Sequence, residues 1–583
     1  MDSSQLLLLL LYSGVILALF FKRVKPVHAF GLGGLLLIFS GQLSAAELLS
    51  TLTTPSLLIL FILMILAGAL QARLGLSQRM DRWIQDARPR SFFLRVLPVT
   101  ALLSSVLNNT AVVALFMGPI RQWAIRQRLA PSTFLMPLAF AATLGGMLTV
   151  IGTSTNLVLN GLLEENGLRI LHSSDYLLPG MLVVVLGVLA MVFLAETILP
   201  KNLVDSHEKS REYTVETRVI QGSTYAGRTV QEAGLRQVHG LYLVEILRED
   251  RLIAPVSPSE MLEAGDRLFF AGALDAVREL TQSNSGLALP QEELTQGAAS
   301  SALVEVMIPP GSDLVGVQVR ESQFRQRFDA AIVAVHRRGE RMQGRIGNMH
   351  LEAGDLLLVI SGSRHAELMG ESSHLYSLSS QAPLAPLSTW NKGVLSLATL
   401  FLTFAYAMDR LDFLATLAGL AAILASVGWL GWNDVKKSLD WELMVVLMCA
   451  LGFSKALMDS GLIQMAYEQL PQGAIESPFA WLVVIFGLTS LLTNLMTNVA
   501  AVALMFPLVA ICLDGQTDLS ATQGFLALAF GASNAFLTPF GYQTNLMVMG
   551  PGGYHSRDYL TFGAWITAVY SVAILTYLYF LSV

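Results

Sequence analysis

The sequence predicts an α-helical polytopic membrane protein: two inverted repeats, each of five spans plus a re-entrant hairpin, with two small cytosolic α/β domains inserted between them. Three observations carry this reading. Hydrophobic residues make up 53% of the 583 and charged residues only 14%, and the mean hydropathy is +0.56, more apolar material than a soluble core needs. The long apolar runs lie almost wholly in 1–199 and 391–583, whereas the stretch between them reads as ordinary soluble protein. Polar motifs in the first apolar region also return, in order and at one fixed spacing, in the second. The expected boundaries are 1–200 and 390–583 for the membrane repeats, with 206–285 and 300–372 for the inserted domains.

The N-terminal run MDSSQLLLLLLYSGVILALF lacks the basic leader and small-residue cleavage site of a secretory signal, so it reads as a first span. Runs long enough to cross the hydrocarbon core lie near 5–21, 27–43, 55–71, 132–160, 176–199, 392–408, 412–430, 441–458, 524–549 and 559–581. Two further apolar stretches, 92–120 and 479–512, are interrupted halfway by Asn108-Asn109-Thr110 and by Thr493-Asn494 through Thr497-Asn498, as re-entrant hairpins are. With the N-terminus outside, the short inner loops collect most of the lysine and arginine, including Lys22, Arg23, Arg79, Arg126 and Lys436. The short outer loops keep only Arg169 and Arg410. This arrangement also places the insert in the cytosol.

LNNTAVVALFMGP at 107–119 matches MTNVAAVALMFPL at 496–508, with Asn109 on Asn498, Ala111 on Ala500 and Leu115 on Leu504, an offset of 389. Gly152-Thr153-Ser154-Thr155-Asn156-Leu157 falls on Gly541-Tyr542-Gln543-Thr544-Asn545-Leu546 at the same offset. Polar residues are costly in lipid, so such matches are rarely accidental. An odd number of spans per half sets the halves in opposite orientations, the arrangement in which ligand sites form where helices break near the midplane. The insert has its own duplication at an offset of 89: Gly227, Val230 and Val244 return as Gly316, Val319 and Val333, and Glu263-Ala264-Gly265-Asp266 as Glu352-Ala353-Gly354-Asp355. Each copy shows a short helical pattern, alternating segments, and a Gly-Asp turn into an apolar strand.

A helix broken inside a membrane frees backbone groups that a bound ion can satisfy. Ser104 and Asn108 are four apart, as are Thr493 and Thr497, which on a continuous helix puts each pair on one face. Neutral oxygens of this kind, completed by carbonyls freed near Gly152 and Gly541, suit sodium, because magnesium and calcium normally want carboxylates. The amides and hydroxyls of Asn109, Thr110, Thr155, Asn498, Thr544 and Asn545, beside the positive ends of half-helices, favour an anion.

On these motifs the sequence resembles the divalent anion/sodium symporter family, the sodium-coupled dicarboxylate, citrate and sulfate carriers. The family's Ser-Asn-Thr tip stands here as Asn108-Asn109-Thr110 and Thr497-Asn498-Val499. The resemblance implies a first sodium site of Ser104, Asn108, Asn109 and Gly152 and a second of Thr493, Thr497, Asn498 and Gly541. It further implies an anion site touching Asn109, Thr110, Thr155, Asn156, Asn498, Val499, Thr544 and Asn545, and a homodimer working by an elevator motion. Val499 lacks the hydroxyl that holds a carboxylate in dicarboxylate carriers, which moves the expected substrate toward a compact tetrahedral anion such as sulfate. A sodium-coupled dicarboxylate or citrate carrier is the alternative. The insert resembles a pair of TrkA-C domains, which bind small ligands, and no G-x-G-x-x-G fingerprint precedes them.

Other classes fit less well. A ligand-gated cation channel needs a pore lined by carbonyl or charge rings, and no T-V-G-Y-G filter occurs. A cation/proton antiporter needs a carboxylate at the midplane, and none falls centrally in these spans. Lys455 sits at a helix end with Asp459 one turn away and reads as a snorkelling lysine. No nucleophile arrangement or metal-ligand spacing indicates an enzyme or a covalently held cofactor. Cys449 and Cys512 lie in apolar runs, and the formal net charge of -6, which averages a membrane part with a soluble part, says little about partners; no nucleic acid is expected among them. The expected partners are the anion, sodium, the bilayer and a second copy.

Overall fold

The computed structural model describes residues 2–20, 26–73, 80, 83–84, 89–202, 212–219, 223–235, 237–238, 241–248, 251–253, 255–273, 287–288, 303–337, 340–342, 346–361, 374–378, 412–432, 435–436, 439, 441–462, 465, 477–514 and 520–582. The chain divides into a helical unit, Met1–Ala124 with Ser132–Lys201 and Pro383–Val583, and a second unit, Ile125–Pro131 with Asn202–Ala382.

The first part of the helical unit runs through α1 (Ser3–Phe20), α2 (Pro26–Phe39), a short α3 (Ala45–Ser50) and α4 (Pro55–Arg73). It continues with α5 (Pro89–Ser104), α6 (Asn109–Arg126), α7 (Ser132–Gly146), α8 (Ser154–Glu165) and α9 (Ser173–Ile198). Ser44 and Glu47 close a reciprocal capping box at the start of α3, a helix the apolar runs did not reveal. The predicted span 132–160 is two helices, α7 and α8, separated by an irregular stretch. Four described helices are long and apolar enough to cross a bilayer, α9 among them.

After the insert come α11 (Phe413–Ser426), α12 (Trp441–Asp459), α13 (Pro478–Leu495), α14 (Asn498–Asp514), α15 (Ala521–Ser533), α16 (Gln543–Gly552) and α17 (Ser556–Ser582). The predicted span 392–408 lies outside the described residues. Helices α5 to α8 start at 89, 109, 132 and 154, and α13 to α16 start at 478, 498, 521 and 543, each 389 later. Helices approach closely where side chains are missing: a Cβ on Gly33 would lie 2.7 Å from the Phe453 ring, and one on Gly145 would meet the backbone of Ala101. Glycines of the last helix in each half, Gly180 and Gly563, lie against the carbonyls of Met147 and Phe536, which stand 389 apart at the two breaks.

In the second unit, β1 (Glu212–Val219), β2 (Gln237–Val238), β3 (Leu241–Arg248), β4 (Arg251–Ile253), β5 (Arg267–Ala273) and β6 (Leu287–Ala288) form an antiparallel sheet. Its order is β2-β3-β5-β1-β6, with β4 on β3. A second sheet, in the order β11-β7-β10-β8-β9, contains β7 (Leu303–Met307), β8 (Ala330–Arg337), β9 (Glu340–Arg341), β10 (Leu356–Ser361) and β11 (Tyr376–Ser377). The five-residue α10 (Phe324–Phe328) precedes β8. The segment before α10, 312–323, is turns, as is its counterpart 223–234, with Gly227 and Gly316 both at positive φ (+82° and +84°). Both cores use equivalent residues 89 apart: Val219, Ile246, Leu262 and Leu268 in one, Ile308, Val335, Leu351 and Leu357 in the other.

Candidate functional site

The site grows from the two breaks. The α5 helix ends at Ser104 and α6 begins at Asn109, so the chain is no longer helical at Asn108. The pairing therefore falls one residue later than an i,i+4 face predicts. Ser104 Oγ lies 2.5 Å from the Asn109 carboxamide, and in the other half Thr493 Oγ1 lies 2.8 Å from Asn498 Oδ1. Ser104, Thr493, Asn109 and Asn498 are buried, while Asn108 and Thr497 are exposed. Asn108 Oδ1 accepts from the Thr110 amide at 3.0 Å.

Each break is fastened by a threonine outside the expected set. Thr149 Oγ1 donates to the Ser105 carbonyl (2.5 Å) and accepts from the Gly152 amide (3.1 Å). Thr538 Oγ1 repeats this with the Asn494 carbonyl (2.9 Å) and the Gly541 amide (3.0 Å). Asn156 donates to the Thr149 carbonyl (3.0 Å) and Asn545 to that of Thr538 (3.2 Å), leaving the Oδ1 of both buried without a partner. Gly152 and Gly541 have no room for a side chain. A Cβ on the first would sit 2.9 Å from the Ser104 carbonyl, and one on the second 3.1 Å from that of Thr493.

Neutral oxygens cluster at both breaks. Around the Asn109 carboxamide stand Ser104 Oγ at 2.5 Å and the carbonyls of Gly152 and Ala142 at 3.1 and 3.2 Å. The amide fits in two ways. With its nitrogen toward this cluster its two hydrogens serve acceptors there and its oxygen accepts from Tyr542; with its oxygen there, it accepts from Ser104 Oγ and faces the carbonyls of Gly152 and Ala142, and the nitrogen donates to the Tyr542 hydroxyl at 2.6 Å. Thr493 Oγ1 also lies 2.5 Å from the Ala532 carbonyl, so the second cluster likewise joins a hydroxyl, a carboxamide and a backbone carbonyl. Asn108, Gly152 and Ser154 border a cavity of about 20 Å³ that Leu60, Leu63 and Met64 of α4 close, room for about one water-sized particle.

The halves meet directly at the helix starts. Thr153 and Tyr542 are the N-cap residues of α8 and α16, neither caps its own helix with its side chain, and their hydroxyls approach to 3.4 Å. Thr110 Oγ1 donates to Gln543 Oε1 at 3.3 Å, and Thr143 Oγ1 lies 3.5 Å from Thr544 Oγ1. The first tip is thereby joined to the second broken helix. Val499, Thr155, Asn156, Thr544 and Asn545 are buried, and no hydrogen bond joins Asn498 to Asn109 among the described residues. Two N-termini bare of side-chain caps present free amides and positive dipole ends to one place, which suits an anion. Lys455 pairs with Glu47 and Glu165, each at 3.7 Å, and its partners come from other helices.

Long apolar helices around paired broken helices make this an integral, multi-pass membrane protein of a transporter class. The chain belongs to the citrate transporter family, whose model matches residues 15–523. It is 30% identical to a putative sulfur deprivation response regulator of Chlamydomonas reinhardtii, over 91% of this chain and 93% of that one. It is 27% identical to an uncharacterized transporter of Synechocystis, over 81% of this chain and 79% of the relative. A probable sodium/sulfate cotransporter of Chlamydomonas reinhardtii is 31% identical over 62% of this chain and 42% of its own.

Proposed function

We propose that this protein is a secondary active transporter that couples sodium entry to the uptake of a small divalent anion, sulfate ahead of dicarboxylates. The observation that carries the reading is a cluster of neutral oxygens at each break: among the described residues, the Ser104 hydroxyl, the Asn109 carboxamide and the carbonyls of Gly152 and Ala142 in one half, and the Thr493 hydroxyl, the Asn498 carboxamide and the Ala532 carbonyl in the other. In this reading each cluster holds one sodium ion, with Asn108 and Thr497 contributing from the tips. The anion lies between them against Asn109, Thr110, Thr155, Asn156, Asn498, Val499, Thr544 and Asn545. A sodium/sulfate cotransporter among the relatives, and a sulfur-response protein aligned over nearly the full chain, support sulfate. The repeats are inverted, the protein is a homodimer, and the hairpins with their broken helices move as an elevator against the remaining spans. The test is uptake by proteoliposomes under a sodium gradient with sulfate, phosphate, succinate and citrate in turn. Sodium-driven sulfate uptake is expected; uptake of succinate or citrate alone would replace the anion, and no sodium dependence would end the reading.

The two sheet domains are read as cytosolic TrkA-C-like modules that bind a small ligand and regulate transport. Such a module acts only through its preference for one state, and coupling of this kind typically amounts to roughly 5–150-fold. Replacing 206–380 by a short flexible linker should therefore leave a working carrier whose rate or apparent affinity changes by no more than about that factor. A folded deletion variant without sodium-driven uptake would make the insert part of the transport machinery.

A further inference from the structure

Tyr542 stands where its counterpart is a threonine, and its side chain does not serve its own helix. Its backbone is extended at the start of α16, its ring is half-buried, and its hydroxyl reaches the Asn109 carboxamide of the opposite half at 2.6 Å and Thr153 Oγ1 at 3.4 Å. Asn109 in turn touches the first oxygen cluster with the other end of the same amide. One amide thus separates the cluster from the phenol, and its two orientations have different consequences.

When the amide oxygen faces this cluster, Ser104 Oγ donates to it, but the carbonyls of Gly152 and Ala142 face it with no hydrogen between them, a repulsion that a bound cation offsets. The amide nitrogen then donates to the Tyr542 oxygen, and the phenol hydrogen is not taken by Asn109: it can go to Thr153 Oγ1 at 3.4 Å or to a bound ligand. Without the cation, the nitrogen turns to the cluster and its two hydrogens serve acceptors there. The amide oxygen now accepts from Tyr542, so the phenol hydrogen is taken. A phenol has only one hydrogen to give.

We infer that Tyr542 is the relay between cation and anion: sodium at the Ser104, Asn109 and Gly152 cluster fixes the Asn109 amide, and this frees the Tyr542 hydroxyl to donate to the bound anion. The inference rests on the sodium-coupled reading of the site. It gives sodium a route to anion affinity that needs no large movement, because rotation of one amide changes a donor from occupied to available. It also explains why the second half can lack a hydroxyl at Val499, since Tyr542 in that half delivers one at the axis.

The test is Tyr542→Phe, which keeps the ring and removes the hydroxyl, together with Tyr542→Thr, which installs the residue found at Thr153. Anion KM is measured in proteoliposomes across a range of sodium concentrations, and sodium binding without anion is followed by thermal shift. A lost hydrogen bond to a charged ligand predicts an anion KM raised roughly 10- to 100-fold at high sodium. The fall in anion KM that rising sodium produces in the wild type should shrink by a similar factor, while sodium binding without anion changes by less than about twofold. A purely structural role would move stability or maximal rate and leave the sodium dependence of KM intact. Either variant, folded and with wild-type sodium dependence of anion KM, overturns the relay while leaving the functional reading in place. A wild-type protein whose anion uptake ignores sodium overturns both.

Discussion

In the sheet unit, copies 89 residues apart keep the same residues at the same bonds. Arg248 grips Asp266 through two hydrogen bonds (2.9 and 3.0 Å), and Arg337 grips Asp355 in the same fork (2.8 Å for each). Each aspartate also accepts a backbone amide 2.8 Å away, from Glu263 or Glu352. In the helical unit, copies 389 residues apart keep the bond and change the residue: serine to asparagine in one, threonine to asparagine in the other. Elsewhere even the chemistry diverges, with Thr153 matched by Tyr542 and Thr110 by Val499 at the same offset. A buried charge accepts only one partner geometry, so the first duplication is held fixed. A neutral hydroxyl keeps the same hydrogen bond on serine or threonine, so there the residue is free to change while the bond is kept.

The largest effect is expected where the copies are identical. Asp266 and Asp355 are each 1% exposed, and removing the arginine leaves a buried charge without its partner. Arg337→Ala should lower the stability of its sheet by about 3 kcal/mol, the low end for a buried pair because the guanidinium itself is 18% exposed. Arg248→Ala should do the same, and lysine should rescue neither, since it cannot make the fork. The Asp266 and Asp355 hydrogen bonds hold both guanidinium groups above their ordinary pKa, so the pairs persist throughout the physiological range. Limited proteolysis with increasing denaturant measures the effect. Resistance unchanged in both variants would mean that the repeated fork is ornamental.

The bonds that change residue should respond in parallel and less severely. Ser104→Ala and Thr493→Ala each remove one oxygen from a cluster, and the half-saturation concentration for sodium should rise roughly 10-fold in each. Thr493→Ser keeps the oxygen and should stay near wild type. Transport against sodium concentration in reconstituted protein decides it; a shift in neither alanine variant would sink the assignment of both clusters.

How far these copies could be read from sequence depended on distance along the chain. Local matches at the hairpins and at Gly152 and Gly541 were enough to expose the 389 offset and the interrupted helices. Thr149 and Thr538 were within reach, because Leu148-Thr149 and Leu537-Thr538 extend the same alignment by a few residues. The i,i+4 argument placed Asn108 beside Ser104 and failed locally, since it presumes a helix that has already ended. Lys455 was paired by proximity in sequence with Asp459, yet its partners Glu47 and Glu165 come from distant segments. Tyr542 was legible as a mismatch with Thr153, but its meaning lies in contacts 433 and 389 residues away, which no local pattern encodes.

The smallest effect, and the sharpest on specificity, concerns the tips. Thr110 keeps a hydroxyl that bonds Gln543, whereas Val499 offers only methyl groups and is 7% exposed. Val499→Thr restores the symmetry of the tips with almost no change in shape, but it buries a hydroxyl that must find a partner or weaken the fold. The burial of an added hydroxyl costs more than it returns without a ligand, so thermal stability should fall slightly. A dicarboxylate has a second charged group to accept from the new hydroxyl; a compact tetrahedral anion, already held at the axis, gains less. The ratio of succinate to sulfate affinity should therefore rise by about 3- to 10-fold, the range of one modest hydrogen bond. Succinate should also recover the lost stability more fully than sulfate does, because only a ligand that satisfies the hydroxyl binds the folded variant better than it bound the parent. Competition of succinate against labelled sulfate uptake measures the ratio directly. An unchanged ratio, in a variant that is folded and active, would mean that the second tip does not touch the substrate, and the loss of its hydroxyl would then say nothing about which anion is carried.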